Sequence, residues 1–194
     1  MNTARNLTRW FVGAAIVFAG FASQLKAADY ADIDIHVSIN ATREVTATNT
    51  YYYFGAVDID KSTNSVGFVT IKNNSTGITE TYTIKGGTAT SDTAGVNWNL
   101  QASSTSLIAN TYAMAVLFTD AGRPDNNEDT WQQDYLRVDQ YITCTSDVFG
   151  DGSPGDEGVN VPPQADRIMY FRLRTPPSTT DGGPHTTTIR LSVL

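Results

Sequence analysis

The sequence predicts an all-β chain: a single antiparallel β-sandwich of about eight or nine strands, preceded by a cleaved export signal. Three observations lead there. Short segments throughout residues 28–194 alternate apolar and polar side chains with the period of two that a strand imposes. The same region holds 25 threonines, and Thr, Val, Ile and Tyr suit a pleated, half-buried surface. No stretch of about a dozen residues keeps a helical 3.6-residue period without interruption by Gly, Pro or a β-branched residue.

Residues 1–27 read as a secretory signal peptide. Arg5 and Arg9 give a basic start, and WFVGAAIVFAGFA (10–22) is its apolar core. Those thirteen residues fall short of the roughly 20 that span a bilayer, so no membrane span is expected in the mature protein. Leu25 and Ala27 mark cleavage at Ala27/Ala28. The chain is therefore expected outside the cytoplasm, secreted, extracellular or at the cell surface, with the periplasm as the other compartment. Removing 1–27 takes away three cations (Arg5, Arg9, Lys26) and no acid, so the formal net charge falls from -7 to -10 over the 167 residues that remain. Such an acidic balance argues against nucleic acid, whose binding needs a basic stripe.

Within 28–194, taken as one domain, the strands follow in order. DIDIHVSI (32–39) sets Ile33, Ile35, Val37 and Ile39 on one face and polar residues on the other. TYYYFGAVDI (50–59) supplies an aromatic strand ending near Gly55. SVGFVTIKN (65–73) and ITETYTIKG (78–86), joined by NSTG, predict a hairpin. VNWNLQ (96–101) alternates Val96, Trp98 and Leu100 against polar neighbours, which places Trp98 in the core. TYAMAVLF (111–118) is apolar nearly throughout, as a central strand buried on both faces would be. DYLRVDQYITC (134–144), DRIMYFRLR (166–174) and HTTTIRLSVL (185–194) complete the set. Two long loops, 119–133 and 145–165, carry much of the Asp, Gly and Pro.

The stretch YYYFGAVDIDKSTNSVGFVTIKNNSTGITETYTIKG (51–86) resembles the N-terminal half of secreted bacterial immunoglobulin-like domains of the Hydin type. The shared features are Phe54-Gly55 followed by Val57, then Val69, Ile71 and Asn73 on one strand and Tyr82 and Ile84 on the next. VNVPPQADRIMYFRLRTP (159–176) and TTTIRLSV (186–193) are similar to later strands of such domains. More distantly, the layout is similar to camelysin-type biofilm fibre subunits, where a signal peptide is followed directly by a β-rich domain. The resemblance implies an immunoglobulin-like sandwich; it covers about half of the mature chain. The acidic 119–133 segment has no counterpart in either pattern.

The chemistry-bearing residues form few coherent sets. DVFGDGSPGDEG (147–158) offers Asp147, Asp151, Asp156 and Glu157 among four glycines, a composition suited to calcium, although the spacing is not that of an EF-hand. TDAGRPDNNEDTW (119–131) adds Asp120, Asp125, Glu128 and Asp129. Cys144 and Met169 with two histidines suggest blue copper, but no histidine follows Cys144 on its loop. One cysteine cannot form an intrachain disulfide. No G-x-S-x-G elbow is present and no carboxylate pair stands out, so no enzyme is expected.

Two functions follow. The first is a structural protein of the surface or matrix, a fibre subunit whose partner is another copy of itself, with Ile33, Ile35, Val37 and Ile39 as a donated strand. The second is an adhesin module for a surface glycan or protein partner, using the acidic loops and exposed aromatics. Trp131 is the aromatic expected on the surface. Asn40-Ala41-Thr42 and the Asn73/Asn74 pair match glycosylation acceptors.

Overall fold

The computed structural model describes residues 41–194 apart from 93, 94 and 156, and Ile33, Ile35, Val37 and Ile39 lie outside that set. Eleven strands occur among the described residues: β1 (Val45–Thr48), β2 (Ser62–Asn64), β3 (Val69–Asn73), β4 (Tyr82–Lys85), β5 (Thr90–Ser91), β6 (Asn99–Gln101), β7 (Thr111–Phe118), β8 (Ile142–Thr143), β9 (Asp166–Arg174), β10 (His185–Thr186) and β11 (Arg190–Val193). One 3-10 turn, Glu128–Trp131, interrupts the loop after β7. The chain divides at Ile39/Asn40, and Asn40–Leu194 holds all of these elements.

The fold is all-β and built from three sheets. The largest runs β1-β3-β9-β7-β6, with β2 also on β9; a second runs β11-β4-β8, and β10 pairs with β5. β2 and β3 lie end to end along one side of β9, with Asn64 opposite Arg172 and Val69 opposite Met169. Between them Ser65 keeps the ladder intact by donating from its N to Phe171 O while its Oγ accepts from Phe171 N. The pairing is not wholly antiparallel as expected: β6 runs parallel to β7, Asn99 opposite Thr111.

Alternation on β7 and β9 builds two cores, one on each face of the large sheet. Tyr112, Met114, Val116 and Phe118 point to one side with Met169 and Phe171, and there they meet Tyr82 and Ile84 of the smaller sheet. Ala113, Ala115 and Leu117 point to the other side and pack with Tyr170, Trp131 and Tyr135. Every residue of β7 is buried, as its sequence predicts. Each large apolar side chain so removed from water contributes roughly 1.5–3 kcal/mol before chain entropy is counted.

Four expected elements differ from the structure, the simplest being 185–194, which is not one strand but splits into β10 and β11 in different sheets. β3 and β4 are not a hairpin: they lie in different sheets, and residues 74–81 cross between them. The cause is Asn73, fully buried, whose Nδ2 donates to Ile78 O, Val161 O and Pro162 O while its Oδ1 accepts from Ser75 N. These bonds turn the chain inward instead of back along itself, and they also close Asn73 to glycosylation. Residues 134–144 make a strand only at Ile142–Thr143, because the segment steps from one sheet to the other: Tyr135 bridges Ala115, and Ile142 pairs with Ile84. Residues 50–59 form no strand, yet Tyr52 and Phe54 pack on the core while Tyr51 and Tyr53 face outward. The Trp98 expectation holds, since its half-buried ring packs against the first core.

Replacing Asn73 with Ala removes the side-chain partners of Ile78 O and Ser75 N, and leaves Val161 O and Pro162 O with only their backbone donors Glu80 N and Ala165 N. Asn73→Ala is expected to lower stability by about 2–4 kcal/mol, read from the midpoint of urea unfolding at unchanged slope.

Candidate functional site

The outer face of the large sheet is closed by the loop after β7. Small side chains at Ala113 and Ala115 leave room there, and the 3-10 turn drops Trp131 into it. The sequence expectation for Trp131 is thereby corrected: the indole is fully buried and its Nε1 donates to Asp125 O. The sequence shows a polar run ending in Trp, but not the apolar hollow beneath it.

Beside Trp131 lies a buried polar network centred on Arg172. β9 points this residue outward, opposite Ala115 and Asn64. Its guanidinium is almost fully buried, pairs with Glu128 at 2.8 Å, and donates from Nη1 to Asn64 Oδ1 and to Asn126 Oδ1 and O. Burial works against ionisation of Glu128, but hydrogen bonds from Ser104 and Tyr135 and the Arg172 charge outweigh it and hold the carboxyl below its usual range. Tyr135 responds in the opposite direction: burial, reinforced by its bond to the Glu128 carboxylate, pushes the phenol up to about 12. A buried guanidinium of this kind is tolerated only with such partners.

The network backs a surface depression of about 310 Å³ lined by Ser62, Thr63 and Asn64 of β2 and by Arg123, Pro124, Asp125 and Asn126 of the loop. Arg123 Nη2 donates to Asn64 O, and Asn64 Nδ2 donates to Pro124 O and Asp125 O. The lining is polar, and both ends of the buried Asn64 carboxamide are spent within the protein, its Oδ1 on Arg172 and its Nδ2 on the loop carbonyls. Sequence reasoning named Asp125 as an acid but missed this site. Its two halves are about sixty residues apart and meet through the bonds between Asn64 and the loop, once β2 has paired with β9.

The second acidic loop is organised differently. Asp151 accepts from Thr119 Oγ1 and from Ser153 N, Glu157 is buried and accepts from Gly155 N, and Asp147 is exposed. Asp156 lies outside the described residues. Among the described residues no three His, Cys, Asp or Glu side chains converge as a metal ion would need. The loop is fastened to the body by Asp134, whose Oδ1 accepts from Phe149 N in the interior. Burial raises the Asp134 carboxyl to about 7, a rise that the bond from Phe149 only moderates. Cys144, the lone cysteine, is 1% exposed and so is not presented for pairing with another copy.

No protein-family model matches this chain, and no curated protein matches it in sequence.

Asp134 makes the stability depend on pH in a definite sense. Its carboxyl has the ordinary aspartate value of 3.8 in the unfolded chain and about 7 in the fold, so the folded state holds the proton more tightly. Its favourable contribution is complete below about pH 4 and is lost as the pH rises through 7. Asp134→Asn keeps an acceptor for Phe149 N and cannot ionise. Its stability relative to wild type is expected to rise by a few kcal/mol between about pH 5 and pH 8, measured by denaturant unfolding at each pH.

Proposed function

We propose that the protein is a secreted, non-enzymatic structural subunit of the cell surface or extracellular matrix. In this reading an immunoglobulin-like β-sandwich assembles with copies of itself through the N-terminal strand, residues 30–39. The edge at β1 carries the reading. β1 ends the order of the large sheet and, among the described strands, pairs with β3 alone. The other side of such a strand offers backbone N–H and C=O groups to an incoming one. Val45 on β1 and Leu191 and Val193 on the terminal strand β11 are only half-buried although they pack on the core. Apolar surface therefore reaches the edges of both sheets. Directly before β1 in the chain, Ile33, Ile35, Val37 and Ile39 carry the one-faced apolar pattern that such an edge accepts. The resemblance of 51–86 to secreted bacterial immunoglobulin-like domains, and the export segment at 1–27, support the compartment.

A second reading, an adhesin for a surface glycan, is favoured by two other observations. Tyr51 and Tyr53 are 72% and 71% exposed, which is the disposition of a sugar-stacking pair. The polar depression at Ser62–Asn64 and Arg123–Asn126 is a second surface feature on which such a ligand could rest.

Electron microscopy of purified 28–194 separates the two. Filaments are expected, and deletion of 28–40 is expected to abolish them while leaving a folded monomer. A monodisperse monomer at high concentration, retained on a polysaccharide column and released by Tyr51→Ala with Tyr53→Ala, would instead establish the adhesin. Repeating both assays with and without calcium tests the 147–157 carboxylates as ligands.

A further inference from the structure

The two facing sheets differ in width. The large sheet runs through five strands from β1 to β6, whereas the smaller one has three, β11-β4-β8. They are aligned on the side of β6 and β8. Ala115 of β7 pairs with Arg172 on one side and meets Tyr135 on the other, the side that β6 occupies. From there the chain crosses to the smaller sheet, where Ile142 and Thr143 form its edge β8. The opposite edge, β11, therefore stops short of β1. A deficit of two strands leaves about 10 Å of the large sheet without a facing strand.

The side chains register this gap. Alternation turns Val45 and Ala47 of β1 toward the smaller sheet; Val45 is half-buried and Ala47 exposed, whereas Ile71, opposite Ala47 on β3, is buried. On β11, Leu191 and Val193 face the core and are likewise half-buried. Among the described strands β11 pairs with β4 alone, so no described strand uses the N–H and C=O groups of its far side.

The outward faces of the two edges differ. β1 presents Thr46 and Thr48 there, and β11 presents Arg190 and Ser192. Arg190 is exposed, stands opposite Lys85, and has no ion pair among the described residues. Like charges directly opposite on a ladder are unfavourable, and an anion beside Arg190 relieves them.

We propose that β11 is the acceptor edge: residues 32–39 of a second copy add to it as a fourth strand and roof the inner face of β1. This rests on the self-assembly reading and specifies where the donated strand lies. Eight extended residues reach about 26 Å, enough to run the length of β11 and beyond. With Ile33, Ile35, Val37 and Ile39 turned inward, the strand covers Leu191 and Val193 beside it and Val45 and Ala47 beneath it. The same register turns Asp32 and Asp34 outward beside Arg190. Added to β1 instead, those carboxylates would lie beside Thr46 and Thr48, which carry no charge.

Disulfide trapping on residues 28–194 tests this. Protein carrying Asp34→Cys is mixed with protein carrying either Ser192→Cys or Thr46→Cys, left to assemble, and oxidised. Native Cys144 is buried, so the introduced pair reports the contact. Mixed dimer on a non-reducing gel is expected to be several-fold more abundant with Ser192→Cys than with Thr46→Cys, because a disulfide forms only between neighbouring positions. Preferential cross-linking to Thr46→Cys overturns the assignment of β11 and leaves self-assembly standing. Wild-type filaments with no cross-link at either position do the same. A wild-type chain that stays monomeric at high concentration overturns self-assembly itself, and the acceptor edge with it.

Discussion

The structure depends on one constraint: β7 has no polar face. TYAMAVLF puts apolar groups on both sides of the strand, so water must be excluded from both faces of the large sheet. The smaller sheet covers one face. Among the described residues no sheet covers the other, and the loop after β7, with its 3-10 turn, does so. That requirement draws Trp131 inside, sets Tyr135 against Ala115, and leaves Arg172 in the interior where Glu128 must meet it. A loop that is acidic and turn-like in sequence is therefore part of the core.

The same logic explains where polar groups are buried. Four interior polar side chains fasten segments that lie outside the named strands. Glu80, fully buried, holds the chain entering β1 through Arg43 and Ser75. Asn73 holds 161–162, Arg172 holds the loop at Asn126 and Glu128, and Asp134 holds Phe149. Phe149 needs such an anchor, because its φ of 60° is a left-handed conformation that costs a side-chain-bearing residue energy. The sheets are stabilised by apolar burial; the long connections are fixed by hydrogen bonds and charge.

Legibility in the sequence followed the range of the interaction. β9 is readable to its end residues, because DRIMYFRLR sets a continuous apolar centre, Ile168 to Phe171, between charged ends and needs no distant information. β7 was readable for the same reason, through its apolar continuity. Failures occurred where a remote partner decided. NSTG looks like a hairpin turn until Asn73 meets Val161, and Trp131 looks exposed until two alanines of β7 leave a hollow for it. The polar depression needs two segments brought together by a strand pairing, and no local pattern encodes that. Tyr51 and Tyr53 were half legible: strand alternation requires that one face of YYY point outward, and it does so even though the segment joins no sheet.

Cys144 gives the molecule one further property. Its sulfur sits against Phe118 and Gly158, so closely that a Cβ on Gly158 would come within 2.8 Å of it. Burial, aided by the nearby Asp134 carboxylate, pushes the thiol far up its scale, which disfavours the reactive thiolate. Folded, the chain therefore shields this thiol from disulfide formation. The thiol becomes reachable when the segment around Gly158 lifts away from it. The rate at which an alkylating reagent labels it is then a direct clock of that opening, carried by the native sequence without any introduced probe.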